Sequence, residues 1–270
     1  MPALRYAVNT SILFPDVPAA ARFRAAAEAG FGAVESWWPF PHAVPGDRAI
    51  EAFVRSVEDA GVRLVQLNFP AGNMAGGERG LLSLPARSAE FRDGVAIAVG
   101  IGERLGCRAF NAVYGNRLDG LDPAAQDELA VANLAHAGRA AARIGGTVLV
   151  EPLSGVPGYP LRTAADVLAV LERVERDTGV TDLGLLCDLY HLAVNGDDVP
   201  AVIEQHAKDF GHIQIADNPG RGAPGTGALP LDRWLTRLAD RGYTGWVALE
   251  YAPGDADPFA WLPPDRRRSA

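Results

Sequence analysis

Cysteine is nearly absent from this sequence. The two present among 270 residues, Cys107 and Cys187, sit in mostly apolar runs. Their scarcity argues against a disulfide framework and against a zinc site built on thiolates. No stretch reaches the roughly 18 uncharged apolar residues of a membrane-spanning helix. The beginning, Met1–Tyr6, lacks a basic segment followed by an apolar run and a cleavage site, so a soluble, cytoplasmic protein is expected. Positive charge is in deficit, with 25 Lys and Arg against 33 Asp and Glu, a net −8. That balance argues against nucleic acid as the main partner. No Gly-x-Gly-x-x-Gly follows the first apolar run, so the dinucleotide-binding fold loses its usual marker.

What is present is a regular alternation. Short apolar runs, many of them β-branched, occupy Tyr6–Asn9, Ala33–Ser36, Arg63–Asn68, Arg108–Ala112, Thr147–Glu151, Leu183–Asp188, Phe210–Ile215 and Gly245–Glu250. Between them lie helical stretches: Val17–Ala29, Ile50–Ala60, Ala86–Leu105, one opened by Asp122-Pro123, Thr163–Arg176, Val199–Lys208 and Leu231–Arg241. Strand–helix alternation specifies a parallel sheet covered by helices. Eight units predict closure into a single (β/α)8 TIM barrel of the α/β class, since open doubly wound sheets more often have roughly five or six strands. The barrel is expected to take residues 1–262, leaving the Pro- and Arg-rich 263–270 as a loose tail.

The strand endings carry the functional signal. Asn9, Glu35, Asn68, Asn111, Glu151, Asp188, Gln214 and Glu250 stand at or near the ends of the eight runs. Barrel strands deliver those ends to the active-site face. One such residue is ordinarily a helix cap; eight in succession would line a mouth with oxygen atoms. Alternation along each strand puts Glu151 above Leu149, Asp188 above Leu186, Gln214 above His212 and Glu250 above Ala248 on the inward face. Three carboxylates converging there repel one another unless they take up protons or share a cation. With the Gln214 amide they form an all-oxygen donor set suited to Mg²⁺ or Mn²⁺. Spacing alone leaves a metal site and a hydrogen-bonded carboxylate cluster both open.

Several segments resemble one family. They are Asn9-Thr10-Ser11 with Phe14, Ala29-Gly30-Phe31 through Glu35 to Pro39-Phe40, and the loop Asn73-Met74-Ala75-Gly76-Gly77-Glu78-Arg79-Gly80-Leu81. Further along come Val150-Glu151-Pro152-Leu153-Ser154, Asp188-Leu189-Tyr190-His191, His212-Ile213-Gln214-Ile215-Ala216-Asp217 and Glu250-Tyr251. Together they resemble the hydroxypyruvate isomerase family of the xylose isomerase-like barrels. The resemblance implies a divalent metal, Mg²⁺ or Mn²⁺, held by Glu151, Asp188, Gln214 and Glu250, with Glu151 and Glu250 also the catalytic acid/base pair. It implies substrate contacts from His191 and Arg221, and Glu35, Asn68 and Asn111 are expected to add to them. Related ketose 3-epimerases usually carry histidine where Gln214 stands, and a longer Asn-Arg motif after the fifth-strand glutamate. Both differences favour the isomerase branch. Ala228 stands where relatives often have glutamate, which puts a role for that loop acid in doubt.

The implied reaction interconverts hydroxypyruvate and tartronate semialdehyde by proton transfer through an enediolate, with the metal as Lewis acid. A 2-oxo-tetronate isomerase or ketose 3-epimerase would use the same site. A non-catalytic sugar-acid binder and a metal-dependent DNA-repair endonuclease are further alternatives; the latter chemistry needs many histidines, and there are five. The partner is a small sugar acid, with no nucleic acid and no membrane; relatives often form homo-oligomers, though no stripe marks an interface. His212 reads as a core hydrogen-bonder and Glu78 with Arg79 as a loop-shaping or surface pair. The Trp37-Trp38 loop reads either as a lid or as packing.

Overall fold

The eight apolar runs form β1 (Arg5–Asn9), β2 (Ala33–Ser36), β3 (Arg63–Asn68), β4 (Ala109–Asn111), β5 (Thr147–Val150), β6 (Leu183–Asp188), β7 (Phe210–Ile215) and β8 (Trp246–Leu249) in a computed structural model describing residues 4–268. Each strand pairs in parallel with the next, and β8 returns to β1 through Arg5↔Trp246 to Val8↔Leu249, closing the expected barrel. The leader reading at Met1–Ala3 and the end of the tail at Ser269–Ala270 lie outside the described residues.

Side-chain alternation separates two cores. Outward-facing Val8, Val34, Leu64, Phe110, Val148, Leu185, Ile213 and Val247 belong to one buried cluster with helix residues such as Phe23, Val54, Phe91, Leu134, Val167, Ile203 and Leu238. Inside, small side chains (Ala7, Ala33, Val65 and Ala248) close the barrel with Trp246 packed against them. Leu149 takes the space left by two glycines; a Cβ on Gly211 would stand 2.3 Å from its Cδ2. Small apolar side chains thus fill the lower interior, and polar groups gather toward the strand ends, with Gln66 and His212 one layer below.

The helices are α1 (Thr10–Leu13), α2 (Arg22–Glu28), α3 (Asp47–Ala60), α4 (Ser88–Leu105), α5 (Pro123–Ala142), α6 (Ala164–Thr178), α7 (Leu189–Asn195), α8 (Val199–His206), α9 (Leu231–Asp240) and α10 (Pro264–Arg267). Asp122 caps α5 ahead of Pro123, and Thr163 with Asp166 forms a capping box on α6. The helix expected over Val17–Ala29 is shorter: Pro18 leads into a 3₁₀ turn at Ala19–Ala21 before α2 begins. Helices α1 and α7 follow β1 and β6 directly and are too short to show a periodicity.

The loose tail expected from Pro263 is instead docked as far as it is described. Arg267 donates to the carbonyls of Leu262, Ala29 and Phe259 and accepts at its own carbonyl from Gly32, which ties α10 to the start of β2. Three charges in a Pro-rich end read as solvated, but a guanidinium can satisfy several carbonyls at once. Among the described residues no helix is long and apolar enough to cross a membrane.

The loop from β3 to α4 is pinned at Gly80, which has φ +99° and forms an antiparallel bridge with Tyr114. A Cβ there would fall 1.9 Å from the Val113 carbonyl oxygen, so only glycine allows the approach. Gly80→Ala is expected to destabilise the fold by about 2–4 kcal/mol, combining an unfavourable φ with a backbone clash. Denaturant unfolding measures this directly, and a loss below about 0.5 kcal/mol, the usual surface effect, would contradict it.

Candidate active site

Two strand-end residues do double duty. Asn9 accepts the Ser11 and Ile12 N–H groups at the start of α1 through Oδ1, at 2.9 and 3.2 Å. Its Nδ2 is thereby aimed at Glu35 Oε1 (2.8 Å) and Glu250 Oε1 (3.0 Å). Asp188 likewise caps α7, its Oδ1 accepting from Tyr190 N at 2.8 Å and His191 N at 3.3 Å. Its other oxygen, Oδ2, is left facing the barrel mouth. Capping therefore fixes each rotamer and leaves one atom for the site.

Below the mouth lies Glu35, fully enclosed. Asn9 Nδ2 and Gln214 Nε2 donate to its Oε1, each at 2.8 Å, and His212 Nε2 lies 2.6 Å from its Oε2. Glu35 and His212 thus form a buried base plate, with His212 the core hydrogen-bonder its depth suggested. Glu35, expected among the substrate contacts, has both oxygens occupied and no open face. Its effect is to orient Gln214, whose amide nitrogen is committed downward so that Oε1 points away from Glu35.

Glu151, His191, Arg221 and Glu250 line a cavity of about 210 Å³ together with Asn68, Trp37 and Ser154. Asn111 does not line it; its Nδ2 donates to Glu151 Oε1 at 2.6 Å and holds that carboxyl in place. Asn68 accepts from Gln66 at 2.7 Å and keeps a face on the cavity. Glu250 is gripped from three sides: by Asn9, by Trp37 Nε1 at 2.8 Å, and by Arg221 Nη2 on Oε2. Arg221 also stands 3.8 Å from Asp188 Oδ2, and its φ of 52° marks a strained loop held for position. Asp217 holds that loop by accepting four backbone N–H groups, those of Asn218, Gly225, Gly227 and Leu229. Ala228 is exposed in the same loop.

Trp37 and its neighbour part company. Trp37 binds Glu250, whereas Trp38 packs edge-on to Phe40 and donates to the His42 carbonyl. A larger groove of about 490 Å³ lies beyond Trp37, against α2 and α3. Arg22 is its one charged lining residue, so it offers no acid–base pair.

Ligand atoms of Asp188, His191 and Glu250 lie within 4.8 Å of one another. The tautomer of His191 decides its part. Nδ1 accepts from the Ser154 backbone N–H at 3.0 Å and sits 2.7 Å from the Ser154 hydroxyl. A backbone N–H can only donate, so in the neutral ring the proton is on Nε2. Burial holds the imidazole neutral by pushing its pKa down to about 4, with Asp188 opposing the shift. His191 therefore carries its proton on Nε2, 3.6 Å from Asp188 Oδ2, and offers a donor rather than a free lone pair there. Asp188 Oδ2 and Gln214 Oε1 are buried without a hydrogen-bond partner among the described residues. Buried unpaired acceptors cost about 1–3 kcal/mol each. Two of them beside two buried glutamates fit a divalent, oxygen-preferring cation.

Burial is also the main cause of the carboxyl shifts. It raises Glu151 to about 7; the Asn111 hydrogen bond opposes this and Asp188 adds to it. Burial raises Glu250 well above the usual carboxylate range, against the pull of Arg221. Glu151 can thus exchange a proton near neutrality, as an acid/base group requires, and Glu250 is shifted in the same direction.

A sequence model described as xylose isomerase-like TIM barrel matches residues 23–266. The chain belongs to that family. It is 52% identical to a Streptomyces coelicolor protein named "Putative hydroxypyruvate isomerase", with 97% of each chain covered. It is 33% identical to the hydroxypyruvate isomerase of Escherichia coli, covering 97% of this chain and all of that one (100%). A 2-oxo-tetronate isomerase of Cupriavidus necator is 33% identical over 96% of this chain and 98% of its own. Among solved structures, a Brucella melitensis protein titled AP endonuclease, family 2, superposes with a TM-score of 0.84 at 36% identity, covering 96% of this chain and 98% of that one.

Strand endings reveal nothing of Ser154, Trp37 or Asp217 as positioning groups, because each acts through a partner distant in sequence. The raised pKa of Glu151 has a testable sign. The folded state holds that proton more tightly than the unfolded chain, so the stability it contributes is full below about 4.5 and is lost as pH rises through about 7. In a chelator-containing buffer, Glu151→Gln should gain thermal stability relative to the parent at pH 8 and gain less, or none, at pH 5. Equal differences at both pH values would show that Glu151 does not carry the shift.

Proposed function

We propose that this protein is a divalent-metal-dependent sugar-acid isomerase that interconverts hydroxypyruvate and tartronate semialdehyde. The observation that carries this reading is the pairing of Glu151 and Glu250 on one small cavity, with Asp188 close to Glu250 and with Asp188 Oδ2 and Gln214 Oε1 buried without hydrogen-bond partners among the described residues. Relatives named for this reaction support it.

Glu151, Asp188, Gln214 and Glu250 would hold Mg²⁺ or Mn²⁺. When bound, the ion supplies Lewis-acid polarisation of the substrate carbonyl. The rest is the work of the chain. One glutamate removes a proton from C3 of hydroxypyruvate to give an enediolate, the C3 hydroxyl proton passes to the C2 oxygen, and the other glutamate delivers a proton to C2, leaving the aldehyde at C3. Asn111 keeps Glu151 from swinging away, and Asn9, Trp37 and Arg221 do the same for Glu250. His191 Nε2–H donates to a substrate oxygen, and Arg221 Nε, buried and without a partner among the described residues, can do likewise. Met74, Val113 and Leu153 give the cavity an apolar side that limits water.

A four-carbon 2-oxo acid is the second reading, favoured by the relative named 2-oxo-tetronate isomerase. It would use the same groups. The endonuclease reading does not suit the histidines: His212 is bonded to Glu35 and His191 Nδ1 to Ser154, which leaves no imidazole set for a zinc cluster among the described residues. We place the reaction in the cytoplasm.

With Mg²⁺ or Mn²⁺ in D₂O, hydroxypyruvate is expected to isomerise and acquire deuterium at the carbon that receives the proton, followed by NMR. Glu250→Gln should lower turnover by about 10²- to 10⁴-fold, the usual worth of a positioned acid or base. Unchanged turnover in that variant would rule out Glu250 as an acid/base group.

A further inference from the structure

Two guanidinium groups face the cavity, and their surroundings differ. Arg221 donates to Glu250 and stands 3.8 Å from Asp188, so its charge is spent on the acidic floor. Arg79, on the β3–α4 loop, lines the same cavity half-buried. Its Nη1 donates to the carbonyls of Met74 (2.8 Å) and Glu78 (2.7 Å), which fixes the side chain without neutralising it. Its Nε and Nη2 have no partner among the described residues. The adjacent acid is already taken: Glu78 Oε1 accepts from Arg87 Nη1 at 2.8 Å, and its Oε2 accepts from the Asn73 N–H.

The loop that carries Arg79 is tied to the β4–α5 segment. Gly80 bridges Tyr114, and Asn116 Nδ2 donates to the Gly77 carbonyl at 2.9 Å. A fixed cation with an unused edge, above a floor whose own cation is paired, is suited to a carboxylate ligand.

We propose that Arg79 recognises the substrate's carboxylate and so selects sugar acids over neutral sugars. This assigns a specificity-determining residue to the site and rests on the isomerase reading above. Arg221 then serves Glu250 and a neutral oxygen of the substrate, and the acid group is anchored on the β3–α4 loop.

Arg79→Gln tests this, because an amide can still donate to the Met74 and Glu78 carbonyls while the charge is lost. The probes are D-glycerate, which lacks a ketone and does not react, and glycerol, its uncharged counterpart, both titrated by NMR with Mg²⁺ present. Arg79→Gln is expected to weaken D-glycerate binding by about 10- to 100-fold, the range for a charge-assisted hydrogen-bonded pair. The KM for hydroxypyruvate should rise by a similar factor, with kcat changed much less and the pH profile retained, and Arg79→Lys should restore much of the affinity. The proposal is overturned if Arg79→Gln binds D-glycerate as the parent does, if the parent prefers D-glycerate no more than glycerol, or if Arg79→Lys is as impaired as Arg79→Gln. Arg79-dependent binding of D-glycerate without turnover of hydroxypyruvate would sink the isomerase reading alone. Turnover with an unchanged KM in Arg79→Gln would sink the carboxylate assignment alone.

Discussion

Glu151, Asp188 and Glu250 are gathered at one end of the barrel in a setting that water hardly reaches, each no more than 6% exposed. Like charges in that setting repel, and burial penalises each charge before any repulsion is counted. Much of the surrounding structure manages this cost. Asn9, Asn111 and Trp37 donate hydrogen bonds to the carboxyls, and Arg221 supplies a positive charge. What these donors leave unsatisfied, Asp188 Oδ2 and Gln214 Oε1, is the part that the proposed cation would complete.

The barrel makes the gathering possible. Small side chains and glycines let it fill with Leu149 and a few alanines below, so the strand ends meet above an apolar plug. Short helices begin at once after β1 and β6, and the residues that cap them, Asn9 and Asp188, are also site residues. Local backbone chemistry and active-site orientation are therefore the same hydrogen bonds. The base plate of Glu35 and His212 repeats the device one layer down, where Glu35 takes the Gln214 amide nitrogen and leaves its oxygen without a hydrogen-bond partner among the described residues.

Much of this was legible in the sequence. The eight strand endings are polar in a way that capping alone does not explain, and their convergence follows from barrel geometry. Less legible was the division of labour among them. Glu35 and Asn111 end strands as Glu151 does, yet Glu35 is enclosed and Asn111 supports Glu151; a period of two gives direction but not depth. The tail misled because Arg267 satisfies carbonyls of Ala29 and Phe259, contacts that composition cannot show. Arg79 read as a loop or surface residue, since only folding reveals that its neighbour Glu78 is paired elsewhere. Trp37 was ambiguous for the same reason: its partner, Glu250, lies at the far end of the chain.

Direct titration of the protein with Mn²⁺ at pH 7, counting ions bound and protons released, probes the carboxyl cluster most simply. One ion per chain is expected, with proton release because burial raises the pKa of Glu151, to about 7, and of Glu250, and Asp188→Asn should weaken binding markedly. No stoichiometric binding, or binding as tight in Asp188→Asn as in the parent, would contradict a cation held by these residues.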